Sequence, residues 1–125
     1  MTARAIEIKA CVPARDFALS RAFYRDLGFT ERWATEELAC FDRDGAAFLL
    51  QNFHVAEHAE NFQMHLLVDD ADAWWRSIEA SRLAERYLVR AEPPADRPWG
   101  MRDFVLFDPS GVLWRIGQTQ PPPPA

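Results

Sequence analysis

The chain has 125 residues, which is room for one ordinary domain and too little for two. Hydrophobic residues make up 49% and charged residues 26%, a balance that excludes disorder of the main body, and no apolar run nears the roughly 18 residues of a membrane span. The net charge of −5 argues against duplex nucleic acid and anionic lipid, since both partners need a basic footprint.

Residues 5–12 (AIEIKACV) alternate in part and read as a strand ending at Pro13; Glu7 and Lys9 there break any secretory apolar region, so a cytoplasmic protein is expected. Asp16 is a helix N-cap, Phe17, Leu19, Ala22, Phe23 and Leu27 recur at helical spacing, and Gly28 stops the helix. Phe29 to Trp33 is a short strand. Leu38 to Phe41 and Ala46 to Gln51 flank Asp42-Arg43-Asp44-Gly45, a hairpin signal. The order then repeats. Met64 to Val68 is a strand, and Asp69, Asp70 and Asp72 precede a helix with an apolar face of Ala71, Trp74, Trp75 and Ile78. A strand is expected near Arg86 to Val89, then a proline-rich loop over 91–98. A second hairpin, Phe104 to Phe107 with Val112 to Ile116, turns at Asp108-Pro109-Ser110-Gly111. Placing Gly45 on Gly111 aligns the two hairpins without a gap. The expected fold is therefore α+β, with two tandem βαβββ units forming a curved mixed sheet with helices on its outer face. The single domain covers 1–120, in halves of about 5–55 and 61–118, and 121–125 form a solvated, disordered Pro-rich tail.

Few constellations speak of chemistry. His54-Val-Ala-Glu57-His58 matches a zinc-binding pattern but falls in a short connection, where two chance histidines on a surface loop are the simpler reading. Cys11 and Cys40 read as reduced, buried thiols in apolar stretches. The glycines form no phosphate-binding loop, and no serine stands in a nucleophile elbow. Trp99, held between Pro98 and Gly100, is poorly placed for a core, and its rigid face suits stacking on a planar ligand. Arg115 sits inside an apolar strand, where a charge must be paired or face a cavity; Glu7 is a candidate partner.

The segments FYRDLGF (Phe23 to Phe29), PWGMRDF (Pro98 to Phe104) and DPSGVLWRI (Asp108 to Ile116), spread over two βαβββ halves, resemble the glyoxalase/bleomycin resistance superfamily, the vicinal oxygen chelate fold, across residues 6–118. With the VPARDF start (Val12 to Phe17), the likeness is nearest to bleomycin-binding resistance proteins. The resemblance implies four metal-ligand positions in the enzyme members of the superfamily; here they hold Lys9, Leu49, Gln63 and Arg115, none a carboxylate or imidazole. A register shift of two brings in Glu7, Gln51 and His65, the one route to a weak metal site. It further implies a homodimer, often with exchanged N-terminal segments, and an aromatic groove at the interface that holds a drug unaltered. The groove tryptophan corresponds to Trp99, and the family's third-strand aromatic to Leu38, a departure from the pattern.

The leading expectation is a metal-independent, cofactor-free binding protein that sequesters a planar or cationic drug-like molecule, an antibiotic-resistance role, with Trp99 as stacking wall. Arg102 and Arg115 are the expected polar anchors, Gln51, Gln63 and His65 the hydrogen-bonding groups, and Phe41, Phe53, Trp33 and Leu38 further lining. Two alternatives stand beside it. One is a lyase, isomerase or dioxygenase of the same superfamily with a displaced metal site, in which His65 is the inward candidate for a general base. The other is a non-catalytic protein-interaction module.

Overall fold

The structure, a computed structural model, describes residues 3–120. The chain runs through β1 (Cys11–Pro13), α1 (Phe17–Leu27), β2 (Thr30–Ala34), β3 (Leu38–Arg43) and β4 (Ala46–Gln51). A short α2 (Ala56–Glu60) leads to β5 (Gln63–Leu67), α3 (Ala71–Ser81), α4 (Leu83–Tyr87), β6 (Ala91–Asp96), β7 (Met101–Phe107) and β8 (Leu113–Thr119).

The two long helices start alike. Asp16 and Asp70 lie in extended backbone, and each side chain accepts a hydrogen bond from the amide three residues on, Leu19 and Ala73, at 3.0 Å. Gly28 ends α1 at φ 116°, a left-handed conformation that favours glycine, and the guanidinium of Arg43 occupies the space a side chain there would need. That guanidinium lies 3.9 Å from the ring centroid of Trp74, so the end of β3 grips the helix of the other half. Asp44 and Gly45 both take positive φ, which makes the tight hairpin turn between β3 and β4.

The sheets have the same order, β1-β4-β3-β2 and β5-β8-β7-β6, with β1–β4 and β5–β8 parallel and the other pairs antiparallel. These are the two tandem βαβββ units that the sequence repeat predicts. Alternation sends one row of each sheet to the helices. Phe41, Phe48, Leu50, Phe104, Leu106, Trp114 and Ile116 are buried there with Phe23 and Tyr24 of α1. The rings interlock, with Phe41 stacked on Phe48 at 5.6 Å and Trp114 edge-on to Phe48 at 5.2 Å.

Four expectations are corrected. Residues 3–10 form no strand, although they alternate: pairing with β4 begins only at Cys11, opposite Leu49, and Ile6 and Ile8 before it are 86% and 95% exposed. The expected strand at Arg86 to Val89 is instead α4 with its exit: Leu83 is buried, Tyr87 packs edge-on to Phe23 at 5.2 Å, and Leu88 turns the chain at φ 55°. The loop expected over 91–98 contains β6, an edge strand whose register shifts between Glu92 and Ala95 at Pro93-Pro94, where two missing amide donors are tolerated. Of the two thiols, Cys40 is buried as expected, but Cys11 is exposed, since it lies on the first residue of β1 at the sheet's edge. The Pro121 to Pro124 tail lies outside the described residues.

Candidate ligand-binding site

The sheet faces turned away from the helices carry the polar and exposed aromatic groups. Trp114 and Ile116 point into the core, so Arg115 between them takes the opposite face, and the cross-strand partner of Arg115 on β5 is His65. Gln63, two residues earlier, pairs with Leu113 on the same face and is exposed. Arg115 does not reach Glu7, the partner considered from sequence. Glu7 bonds Lys9 instead and raises the Lys9 pKa, and Arg115 Nη1 donates to Asp103 Oδ1 at 3.3 Å.

Asp103 is the hub of this face. Its side chain is only 1% exposed, and it accepts from Arg97 Nε at 2.8 Å as well as from Arg115. It has that room because Gly117 lies opposite it on β8; a Cβ there would stand 2.8 Å from the Asp103 Cβ. The bond from Arg97 also fixes the loop that carries Trp99. Arg97 N donates to Met101 O at 2.7 Å, Gly100 N to Arg97 O at 3.2 Å, and Gln120 N to Gly100 O at 2.8 Å. Trp99 is 60% exposed, with its ring centroid 5.8 Å from the Arg115 guanidinium carbon. Sequence reasoning missed Asp103 and Arg97. Counting outward from Phe104 would have placed Asp103 on the Arg115 face.

The remaining candidates divide. Arg102 lies on the helix-facing row, tied to Asp72 of α3 and to Asp96, both at 3.1 Å; the bond to Asp96 raises the Arg102 pKa, and Arg102 lowers that of Asp96. Phe41 is 0% exposed and belongs to the core, on the helix-facing row with its cross-strand partner Phe48. Gln51 and Leu38 are cross-strand partners at one end of the first sheet, and Trp33, 48% exposed, pairs with Cys40 on that sheet. Phe53, 55% exposed, follows β4. Among the described residues no strand of the first sheet pairs with one of the second. His58 of the His54-to-His58 segment stacks on Phe62 at 5.6 Å, on a helix of five residues.

Two four-stranded sheets in duplicate order define a βαβββ-repeat protein. The profile of the Glyoxalase/Bleomycin resistance protein/Dioxygenase superfamily matches residues 8–116, and the chain belongs to that superfamily. Its fold is similar to that of a bleomycin resistance determinant encoded on the transposon Tn5, at 22% identity over 94% of this chain and 100% of that one, with a TM-score of 0.79. A bleomycin-binding protein from Streptomyces verticillus, complexed with copper(II)-bleomycin, gives 20% identity over 98% and 100% and a TM-score of 0.76. A lactoylglutathione lyase from Agrobacterium tumefaciens gives 19% over 92% and 95%, with 0.68. At these identities the likeness is one of fold. No curated protein matches the chain significantly.

The divalent metal of the superfamily's enzymes does not fit the donors present. Lys9, Leu49, Gln63 and Arg115 stand at the expected ligand positions, two of them cationic, and no cluster of three or more His, Cys, Asp or Glu among the described residues has metal-binding geometry.

Proposed function

We propose that the chain is a cytoplasmic, metal-independent binding protein of the bleomycin-resistance type, which sequesters a planar, drug-like molecule in a groove shared by two copies. The observation that carries this reading is Trp99. A large aromatic face is held in solvent by a pinned loop and backed by a guanidinium, an arrangement that costs a folded monomer apolar exposure and favours a stacked ligand. The bleomycin-binding fold relatives support it, as does the donor set at the superfamily's metal positions.

Intrinsic tryptophan fluorescence, titrated with bleomycin and with other planar drugs, tests the reading. Saturable quenching is expected with at least one of them, and Trp99→Ala is expected to weaken that ligand about tenfold, which corresponds to about 1.4 kcal/mol. Equal binding by the variant removes the stacking role. One tightly held divalent metal per purified chain speaks for the enzyme reading instead.

The shared groove needs a second copy, and residues 3–10 are the segment with apolar side chains to give it. Ile6 and Ile8, almost wholly exposed in one chain, are then covered by the partner. Sedimentation at micromolar concentration is expected to show a dimer, and deletion of residues 1–9 to shift it to monomer. A monomer in the full-length protein removes the groove.

A further inference from the structure

We infer that the ligand of this site carries a planar carboxylate, which the free edge of Arg115 receives while the ligand's flat body lies on Trp99. The inference rests on the binding reading above and names the ligand class, and it runs against the whole-chain charge, which suggests a cationic ligand.

Local charge decides the matter. Arg97 and Arg115 share one carboxylate, that of Asp103, so this cluster keeps one uncompensated positive charge although the chain as a whole is at −5. The other carboxylate on this face, Glu92, across from Val105 on β7, is engaged by Arg90 at 3.3 Å. Arg115 is also underused. Only Nη1 is bonded, at 3.3 and 3.5 Å to the two Asp103 oxygens, and among the described residues Nε and Nη2 donate to nothing. Its side chain is 34% exposed, so these donors are partly desolvated yet reachable. A guanidinium edge with two parallel N–H groups matches the two oxygens of a carboxylate. His65, its cross-strand partner, adds a second nitrogen donor or acceptor at the same row. Since Asp103 fixes Arg115 on one side and the Trp99 ring lies on another, the fork is set in place before a ligand arrives.

The test uses three probes that share one ring system: 2-naphthoate, 2-naphthylmethylammonium and 2-naphthyl phosphate, each titrated against the full chain by isothermal titration calorimetry. 2-Naphthoate is expected to bind at least tenfold tighter than the ammonium compound and no weaker than the phosphate ester. Arg115→Gln is expected to abolish that preference by weakening 2-naphthoate alone, and Arg115→Lys, which keeps the charge but loses the fork, to restore only part of it. Trp99→Ala is expected to weaken all three probes alike. An ammonium probe that binds as tightly as 2-naphthoate, or an Arg115→Gln variant with unchanged preference and a native melting curve, overturns the carboxylate assignment and leaves the groove standing. A phosphate ester bound tenfold tighter overturns the choice of carboxylate. No saturable binding by any probe overturns the assignment and counts against the groove as well.

Discussion

Trp114→Ala is expected to lose about 3–5 kcal/mol of stability, the range for a large aromatic removed from a filled core, and the melting temperature to fall by roughly 10–20 °C. Two losses add. The indole, 2% exposed, touches the rings of Tyr24, Phe29 and Phe48, and its removal leaves a cavity where β8 of the second sheet meets α1 and β4. Its Nε1 also donates to the Tyr24 hydroxyl at 2.9 Å, and that hydroxyl donates to Asp108 at 2.6 Å. Asp108 in turn accepts from the amides of Ser110 and Val112, closing the turn before β8. A thermal melt that moves by less than about 4 °C, near 1 kcal/mol, sinks the account.

The same network gives a pH signature. Burial is the main influence on Asp108 and pushes its carboxyl pKa up, while the Tyr24 hydroxyl and the turn amides oppose the shift; burial drives the Tyr24 phenol well above its ordinary value. A carboxyl whose folded pKa is raised binds its proton more tightly when folded. Its contribution is therefore greatest below the ordinary value and is lost as pH rises through the folded pKa. Asp108→Asn keeps an acceptor for the turn amides and removes the titration. The stability of the wild type relative to this variant is expected to fall as pH rises from about 4, measured by urea unfolding across that range. A difference that grows with pH contradicts the assignment.

Asp103→Ala is expected to cost about 2 kcal/mol, less than the 3–5 typical when a buried pair is broken, because its two arginine partners are 27% and 34% exposed and rehydrate. The distinctive consequence is local. Without the carboxylate the Arg97-to-Gly100 loop keeps only its backbone bonds, so chymotrypsin is expected to cut after Trp99 several-fold faster than in the wild type. A stability loss below about 0.5 kcal/mol with unchanged cleavage makes the cluster an ordinary surface ion pair.

Much of this architecture was legible in the sequence, for local reasons. Asp16, Gly28, Asp70 and the Asp44-Gly45 turn act through their own backbone, so helix starts, stops and the hairpin could be read without knowledge of what packs nearby. The misreadings came where a distant contact decides. Residues 83–87 become helical through a face set by Leu83 and by Tyr87 on Phe23, sixty-odd positions earlier in the chain, and β6 forms despite its prolines because β7 lies beside it. The site followed the same division. Trp99 stood out by its neighbours Pro98 and Gly100, and Arg115 by its apolar surroundings. Arg102 and Arg115 looked equivalent until the register put one under the helices and the other on the open face with Asp103 and Gly117. Phe41 looked like lining because an aromatic in a strand does not announce which side it takes.

The paired prolines of β6 reach beyond their own strand. An outermost strand with free amides and carbonyls is a template on which an identical chain can grow. Pro93 and Pro94 take two amide donors out of this strand, and the register break beside them bends its rim. At the matching rim of the other sheet, Glu31 and Arg32 place charges where an incoming strand would dock. With Ile6 and Ile8 exposed as well, these rims keep open-ended strand-on-strand growth from starting at either sheet.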